Sequence, residues 1–216
     1  VILLYNWKGQ QIAWHAPRMA GSSHHDFCFA SRQEAYVKDW NLYITTQDGR
    51  TLQVSKDGSR ELQYGCSVHR DEFGIHKGTF WSPDGKKLAF YRMDQSMVTD
   101  FPLVNNEGRI ATLAPEKYPM AGMTSHKVTV GIYDTESGAT IYLNAGDPTD
   151  RYFTNIAWAP DAQKIYVIEV PRSQDKAELV AYDAATGNRL GVLYTETHKR
   201  YVEPMNPIVF LPWDAS

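Results

Sequence analysis

Hydrophobic and polar positions alternate with period two along most of this chain, in short runs broken by Gly, Pro, Asp and Asn. The clearest example is Phe80-Trp81, then Ser82-Pro83-Asp84-Gly85, then Lys86-Lys87-Leu88-Ala89-Phe90-Tyr91. Proline presets the first corner of a type I turn, and Asp or Gly suits the next positions. The stretch therefore predicts strand, turn, strand. Helical periodicity is absent almost everywhere, with a single turn predicted over residues 70–75.

The hairpin recurs. Residues 79–90 parallel residues 155–166: an apolar strand ending in Trp81 or Trp158, a Pro-Asp turn, and a second alternating strand. Downstream, 131–143 parallels 180–190: an apolar strand, Asp134 or Asp183, a polar turn closed by Gly138 or Gly187, then a further strand. One repeat is thus four antiparallel strands. Weaker copies flank these. Residues 5–12 match the second hairpin alone. Residues 27–65 hold a degenerate full copy, with Ala35-Tyr36-Val37 and Asn41-Leu42-Tyr43-Ile44 as middle strands and turns at Gln47-Asp48-Gly49 and Lys56-Asp57-Gly58. Near the end, Ile208-Val209-Phe210-Leu211-Pro212 begins another first strand.

A four-stranded unit recurring every ~40–50 residues is the sequence sign of a β-propeller. The expected fold is all-β: a fragment of a β-propeller with about three four-stranded antiparallel blades plus partial blades. Both ends read as strands caught in mid-course, so residues 1–216 are expected to be part of a propeller truncated at both ends. The blade that starts near Thr79 carries an insertion, residues 95–127. Long loops inside compact domains are often functional. This one is expected to form a rim loop or an excursion packed on its own blade.

Composition narrows the function. With 216 residues, 43% of them hydrophobic, the chain can bury the core of one large domain or two small ones. Its 22 basic and 25 acidic residues leave a net charge of -3, without the basic excess of a nucleic-acid binder. No apolar run approaches the ~20 residues of a membrane span. The first residues lack the basic start and cleavage site of a signal peptide. Two cysteines, Cys28 and Cys66, are not a disulfide framework and read as free thiols. Neither lies in a CxxC, so no cysteine zinc site is expected.

Few residues are left for chemistry. There is no Gly-x-Ser-x-Gly elbow. Ser125-His126 are adjacent in sequence, whereas a triad is an arrangement in space. His24 and His25 would point apart on a strand, and no further cluster completes a metal site with Asp26. No glycine loop of the phosphate- or dinucleotide-binding kind occurs, and no cofactor is expected. Trp81 and Trp158 recur at matched positions, which marks them as core between blades.

That leaves Asp71-Glu72, beside His69 and Arg70. An adjacent acidic pair in a polar turn is ordinarily a solvated surface feature. Three things set this one apart. The sister blade has no equivalent before Phe27, the pair stands at a blade entry, and Phe73-Gly74-Ile75 after it suits a short ordered turn. Two carboxylates held together disfavour an anion and favour a cation. A primary ammonium offers three donors, and charge-assisted hydrogen bonds are worth roughly 1.5–3 kcal/mol each.

Residues 68–98 closely resemble the N-terminal propeller domain of the dipeptidyl peptidase IV family, particularly its bacterial branch. Similar too are Tyr118-Pro119-Met120-Ala121-Gly122, the stretch 126–133, Gly146-Asp147-Pro148, residues 151–158, Tyr201-Val202-Glu203-Pro204 and Phe210-Leu211-Pro212-Trp213. The resemblance runs from about Ala35 to the end. It implies a parent serine exopeptidase of the prolyl oligopeptidase type, releasing Xaa-Pro or Xaa-Ala dipeptides from peptides with a free N-terminus. It implies an eight-bladed propeller capping a C-terminal α/β-hydrolase domain with the Ser-Asp-His triad, in a homodimer that is periplasmic, cell-surface or secreted. The fragment itself would be non-catalytic. In the family a doubled glutamate on a short helical segment binds the substrate's α-amino group. That motif falls here on Asp71 and Glu72. Glu72 matches it, whereas Asp71 departs from it by one methylene. Met120 stands where the family often has Lys. The competing reading is a non-enzymatic propeller that binds a protein or peptide partner. Asp71-Glu72 with its flanks discriminates, because a generic repeat does not require it.

Overall fold

The protein is described here by a computed structural model, which covers residues 2–211. A separate hairpin opens it, β1 (Ile2–Asn6) with β2 (Gln11–Ala16). The first full sheet runs β3 (Ser23–Cys28), β4 (Gln33–Lys38), β5 (Asn41–Thr45), β6 (Thr51–Gln53), in sequence order and antiparallel. The central sheet begins with β7 (Leu62–Tyr64), β8 (Thr79–Trp81) and β9 (Lys87–Asp94). An arm follows, in which β10 (Asp100–Phe101) pairs with β13 (Glu116–Lys117) and β11 (Val104–Asn105) with β12 (Thr112–Leu113). The chain then rejoins the central sheet as β14 (Lys127–Asp134) and β15 (Thr140–Tyr142). The last sheet is β16 (Arg151–Trp158), β17 (Lys164–Pro171), β18 (Lys176–Asp183) and β19 (Arg189–Thr197).

The alternation along β9 explains why these sheets stack. Leu88 and Phe90 pack with Ala35, Leu42 and Ile44 of the sheet before. Ala89, Tyr91 and Met93 pack with Phe153, Trp158 and Val167 of the sheet after. Both faces of the central sheet are covered, so its middle strand reads as a continuous apolar run. Fully burying each large side chain contributes roughly 1.5–3 kcal/mol. The recurring tryptophans lock the same interfaces. Trp81 Nε1 donates to the Asp26 carbonyl at 3.0 Å, and Trp158 Nε1 to the Phe80 carbonyl at 2.9 Å. Each indole thus binds the inner strand of the preceding sheet. The Asp turns recur as well: Asp134 Oδ1 accepts from Glu136 N and Ser137 N, and Asp183 Oδ1 from Ala185 N and Thr186 N. The protein is all-β, and its antiparallel sheets stacked face to face are consistent with propeller blades.

Details differ from the sequence expectation. The degenerate copy over 27–65 starts earlier, at Ser23, and closes at Gln53. Leu62–Tyr64 belongs to the next sheet, pairing with the far end of β9. The inner strand of that sheet is therefore split: β7 pairs with residues 92–94 and β8 with residues 88–90. The insertion takes the second of the two expected forms, an excursion, the arm, tied to its own blade by Arg60 and Arg70. Residues 208–211 form no strand, although the Phe210 ring lies 5.5 Å from that of Tyr166. Pro212 lies outside the described residues. Among the described residues no helix is long and apolar enough to cross a membrane.

Candidate functional site

The split in the inner strand is where the acid pair leaves the sheet. Gly65 N donates to the Tyr91 carbonyl at 2.8 Å, and Tyr91 N to the Gly78 carbonyl at 2.9 Å. One residue of β9 thus holds both ends of the excursion 65–78. At this neck a Cβ on Gly78 would lie 2.1 Å from the Cys66 carbonyl oxygen, so only glycine permits the approach.

The tip of the excursion is a single-turn segment, His69–Gly74. It is not the right-handed turn expected over 70–75. His69, Arg70, Asp71 and Phe73 all have φ between 54° and 63°, and Gly74 has 71°. Left-handed backbone costs non-glycine residues roughly 1–2 kcal/mol each. Tertiary contacts hold the turn in place. Phe73 is 2% exposed among Val170, Ala177 and Val202, edge-on to Tyr152. Thr154 Oγ1 donates to the Phe73 carbonyl at 3.4 Å. His69 is 3% exposed, and its Nε2 accepts from Phe153 N at 3.3 Å. Its Nδ1 must then carry the proton, which it donates to His126 Nε2 at 2.9 Å. Burial, and next the neighbouring His126, hold His69 well below the usual histidine range. Burial, with Arg70 and Arg172 nearby, pushes His126 down to about 4. Both rings are neutral near pH 7.

With its backbone so held, the turn presents Arg70, Asp71 and Glu72 to solvent. Ser67 Oγ donates to Asp71 Oδ1. The Glu72 carboxylate is exposed and forms no hydrogen bond or ion pair with any described residue. Glu72 alone in the tip is extended, at φ -59° and ψ 155°. Arg70 turns to the arm: its Nη2 donates to Glu116 Oε2 at 3.0 Å, and its guanidinium lies 5.1 Å from the Tyr118 ring centroid. A cavity of about 360 Å³ beside the turn is bordered by Ser67, Arg70, Asp71, Arg60 and Glu116. Asp71 and Glu72 thus share one ordered turn, with Glu72 the unengaged acceptor.

The other sequence candidates do not assemble. His25 Nε2 lies 3.1 Å from Ser22 Oγ, whereas Asp26 Oδ2 accepts from Lys77 Nζ and Thr79 Oγ1. Among the described residues no group of three or more His, Cys, Asp and Glu could hold a metal ion. His126, next to Ser125, is engaged by His69. Cys28 and Cys66 are buried and free, and burial pushes the Cys66 thiol up to about 11. Sequence reasoning missed the roles of His126, Glu116 and Tyr118. The one available signal was the basic pair His69-Arg70 directly before two acids.

Comparison with known proteins agrees with this architecture. The family model described as the dipeptidyl peptidase IV N-terminal region matches residues 4–216. A Talaromyces stipitatus protein assigned as dipeptidyl-aminopeptidase B is 30% identical over 205 residues, covering 84% of this chain and 22% of the relative. Its counterpart in Phaeosphaeria nodorum is 29% identical over 214 residues, covering 87% and 23%. A Bacteroides ovatus crystal structure assigned as a dipeptidyl aminopeptidase IV superposes with a TM-score of 0.90 at 53% identity, covering 99% of this chain and 29% of that one. Porphyromonas gingivalis dipeptidyl peptidase 4 shares the fold, with a TM-score of 0.79 at 24% identity over 88% of this chain and 28% of that one. The chain therefore spans under a third of the length of each of these relatives. It belongs to the dipeptidyl peptidase IV N-terminal-region family.

Proposed function

We propose that this chain is the part of a propeller domain that recognises the substrate's N-terminus in a serine exopeptidase releasing Xaa-Pro or Xaa-Ala dipeptides. Glu72 accepts hydrogen bonds from the free α-ammonium of the peptide, and Asp71, oriented by Ser67, adds the second negative charge. The observation that carries this reading is the exposed, unengaged Glu72 carboxylate on a turn whose neighbours His69 and Phe73 are buried. A turn held in this way leaves little backbone ordering for the ligand to bring about.

The chain has no nucleophile elbow, and its contribution is positional. Two extended residues span ~7 Å. An ammonium fixed at that distance from a nucleophile measures out a dipeptide, and a longer N-terminal extension clashes with the clamp. Holding a substrate in this way can supply a large part of a rate enhancement. The nucleophile belongs to an α/β-hydrolase domain elsewhere in the parent chain, which works as a homodimer. Likeness to the bacterial dipeptidyl peptidases supports an enzyme that works in the periplasm, at the cell surface or outside the cell.

Glu72→Ala in the full-length protein is expected to lower kcat/KM on a free Ala-Pro substrate by at least ~10-fold, the loss of one charged hydrogen bond. Unchanged kcat/KM would remove the anchor assignment.

A further inference from the structure

Arg70 stands immediately before the two acids, on a long flexible stem. A guanidinium is always charged and is shaped to pair with a carboxylate. Left free, it would fold onto Asp71 or Glu72 and occupy the acceptors an incoming ammonium needs. It is drawn the other way, onto Glu116 at 3.0 Å and over the ring of Tyr118.

Both partners are fixed by their own strand. Glu116 lies opposite Phe101 in the β10–β13 pair, and Tyr118 N donates to the Thr99 carbonyl at 3.0 Å. The base of the arm is tied a second time, to the loop before β7, by Arg60, whose Nη2 donates to Asp100 Oδ1 at 2.6 Å and to the Pro115 carbonyl at 2.7 Å. From the other strand, Lys117 Nζ donates to the Val98 carbonyl at 2.9 Å. The segment that holds Arg70 is thus itself anchored at three points.

We propose that Glu116 and Tyr118 are positioning residues for the acid pair: they sequester the Arg70 guanidinium, so that an ammonium ligand meets two carboxylates whose charge Arg70 has not cancelled. This rests on the reading of Asp71-Glu72 as an ammonium site. It gives the inserted arm a part in substrate recognition, exerted through Arg70. It also makes the sign of the effect specific. A brace that only stiffened the turn would be lost equally by removing either partner. A sequestering partner is needed only while Arg70 is present.

The test uses steady-state kinetics of the full-length protein on a chromogenic Ala-Pro substrate with a free amino group. Glu116→Gln is expected to raise KM by about 3–5-fold, the upper end of the range of an exposed ion pair, with kcat within about twofold. Combining it with Arg70→Met is expected to bring KM back to within about twofold of the parent. The side chains of Arg70 and Glu116 are 45% and 54% exposed, so neither change threatens folding, and an unchanged thermal midpoint checks this. The proposal is overturned if Arg70→Met alone raises KM as much as Glu116→Gln, or if the double variant stays as impaired as Glu116→Gln. Glu72→Ala in the same assay separates the two levels. If it raises KM while Glu116→Gln does not, the sequestering role fails and the ammonium site stands. If Glu72→Ala changes nothing, both fail.

Discussion

His69 shows how one side chain can tie a turn to a strand and to the segment that leads into another. Its ring accepts from the backbone of β16 on one nitrogen and donates to His126 on the other. That arrangement requires both imidazoles to be neutral, and their buried surroundings keep them so. The consequence for pH comes from linkage. An unfolded histidine titrates near 6.5, whereas His126 in the folded protein titrates at about 4 and His69 well below its usual value. Between those values the unfolded chain binds protons that the folded chain refuses, so stability rises with pH there. The pair contributes no pH dependence above about 6.5, and stability is lost progressively as pH falls from there toward about 4. The charges facing the pair, Arg70 and Arg172, act in the same direction. Thermal midpoints measured from pH 7 to pH 4 are expected to fall, and His126→Asn, with no proton to take up, is expected to flatten the slope. A profile equally steep in both proteins would mean that other groups cause it. At this scale the sequence exposed Glu72 and Asp71 as a local pattern. It could not expose Glu116 or His126 as their supports, because the Arg70–Glu116 and His69–His126 partners are 46 and 57 residues apart.

The excursion 65–78 is an element in its own right, although it is neither helix nor strand. Residues 67–75 stood out in the sequence because no other repeat contains them. Their placement in the middle of an inner strand was not legible. Leu62–Tyr64 is only three residues long, and its membership of the central sheet is fixed by pairing with Asp94, Met93 and Arg92. The left-handed tip was equally hidden. Arg and Phe carry no preference for that backbone region, and His69, Asp71 and Gly74 give only a weak local hint. The neck depends on Gly78. Gly78→Ala would push a Cβ to 2.1 Å from the Cys66 carbonyl and 2.4 Å from Gly65 C. Backbone shifts of this kind cost about 1–3 kcal/mol. We expect a lower thermal midpoint for Gly78→Ala, with weakened substrate binding in the full-length protein as the turn shifts. A midpoint equal to the parent's would show that the neck relaxes freely.

Across the molecule, three stacked sheets share two cores, and the central one is sealed on both faces. The outermost strand of the last sheet is different. On β19, Leu190, Val192, Leu193 and Tyr194 are 40–62% exposed, and among the described residues the strand pairs only with β18. An exposed apolar edge strand is a template for pairing with another chain. The 216-residue chain studied alone is expected to self-associate as concentration rises, read by light scattering. A strictly monomeric species over a wide concentration range would count against that expectation.

Period-two alternation and the recurring Trp, Pro-Asp and Asp-Gly signals were sufficient in the sequence to define the all-β class, the hairpins over 79–90 and 155–166, which the structure extends to 94 and from 151 to 171, and the role of Trp81 and Trp158 between sheets. These are local properties, since strand periodicity and turn chemistry act within about a dozen residues. The sequence also singled out the doubled carboxylate, because it broke the repeat. Tertiary structure decided the rest: that the pair leaves the sheet through a glycine neck, that buried His69 and Phe73 hold a left-handed turn beneath it, and that the arm at 99–118 reaches back to take Arg70. Each of these is a contact between segments dozens of residues apart, where burial and charge outweigh local preference.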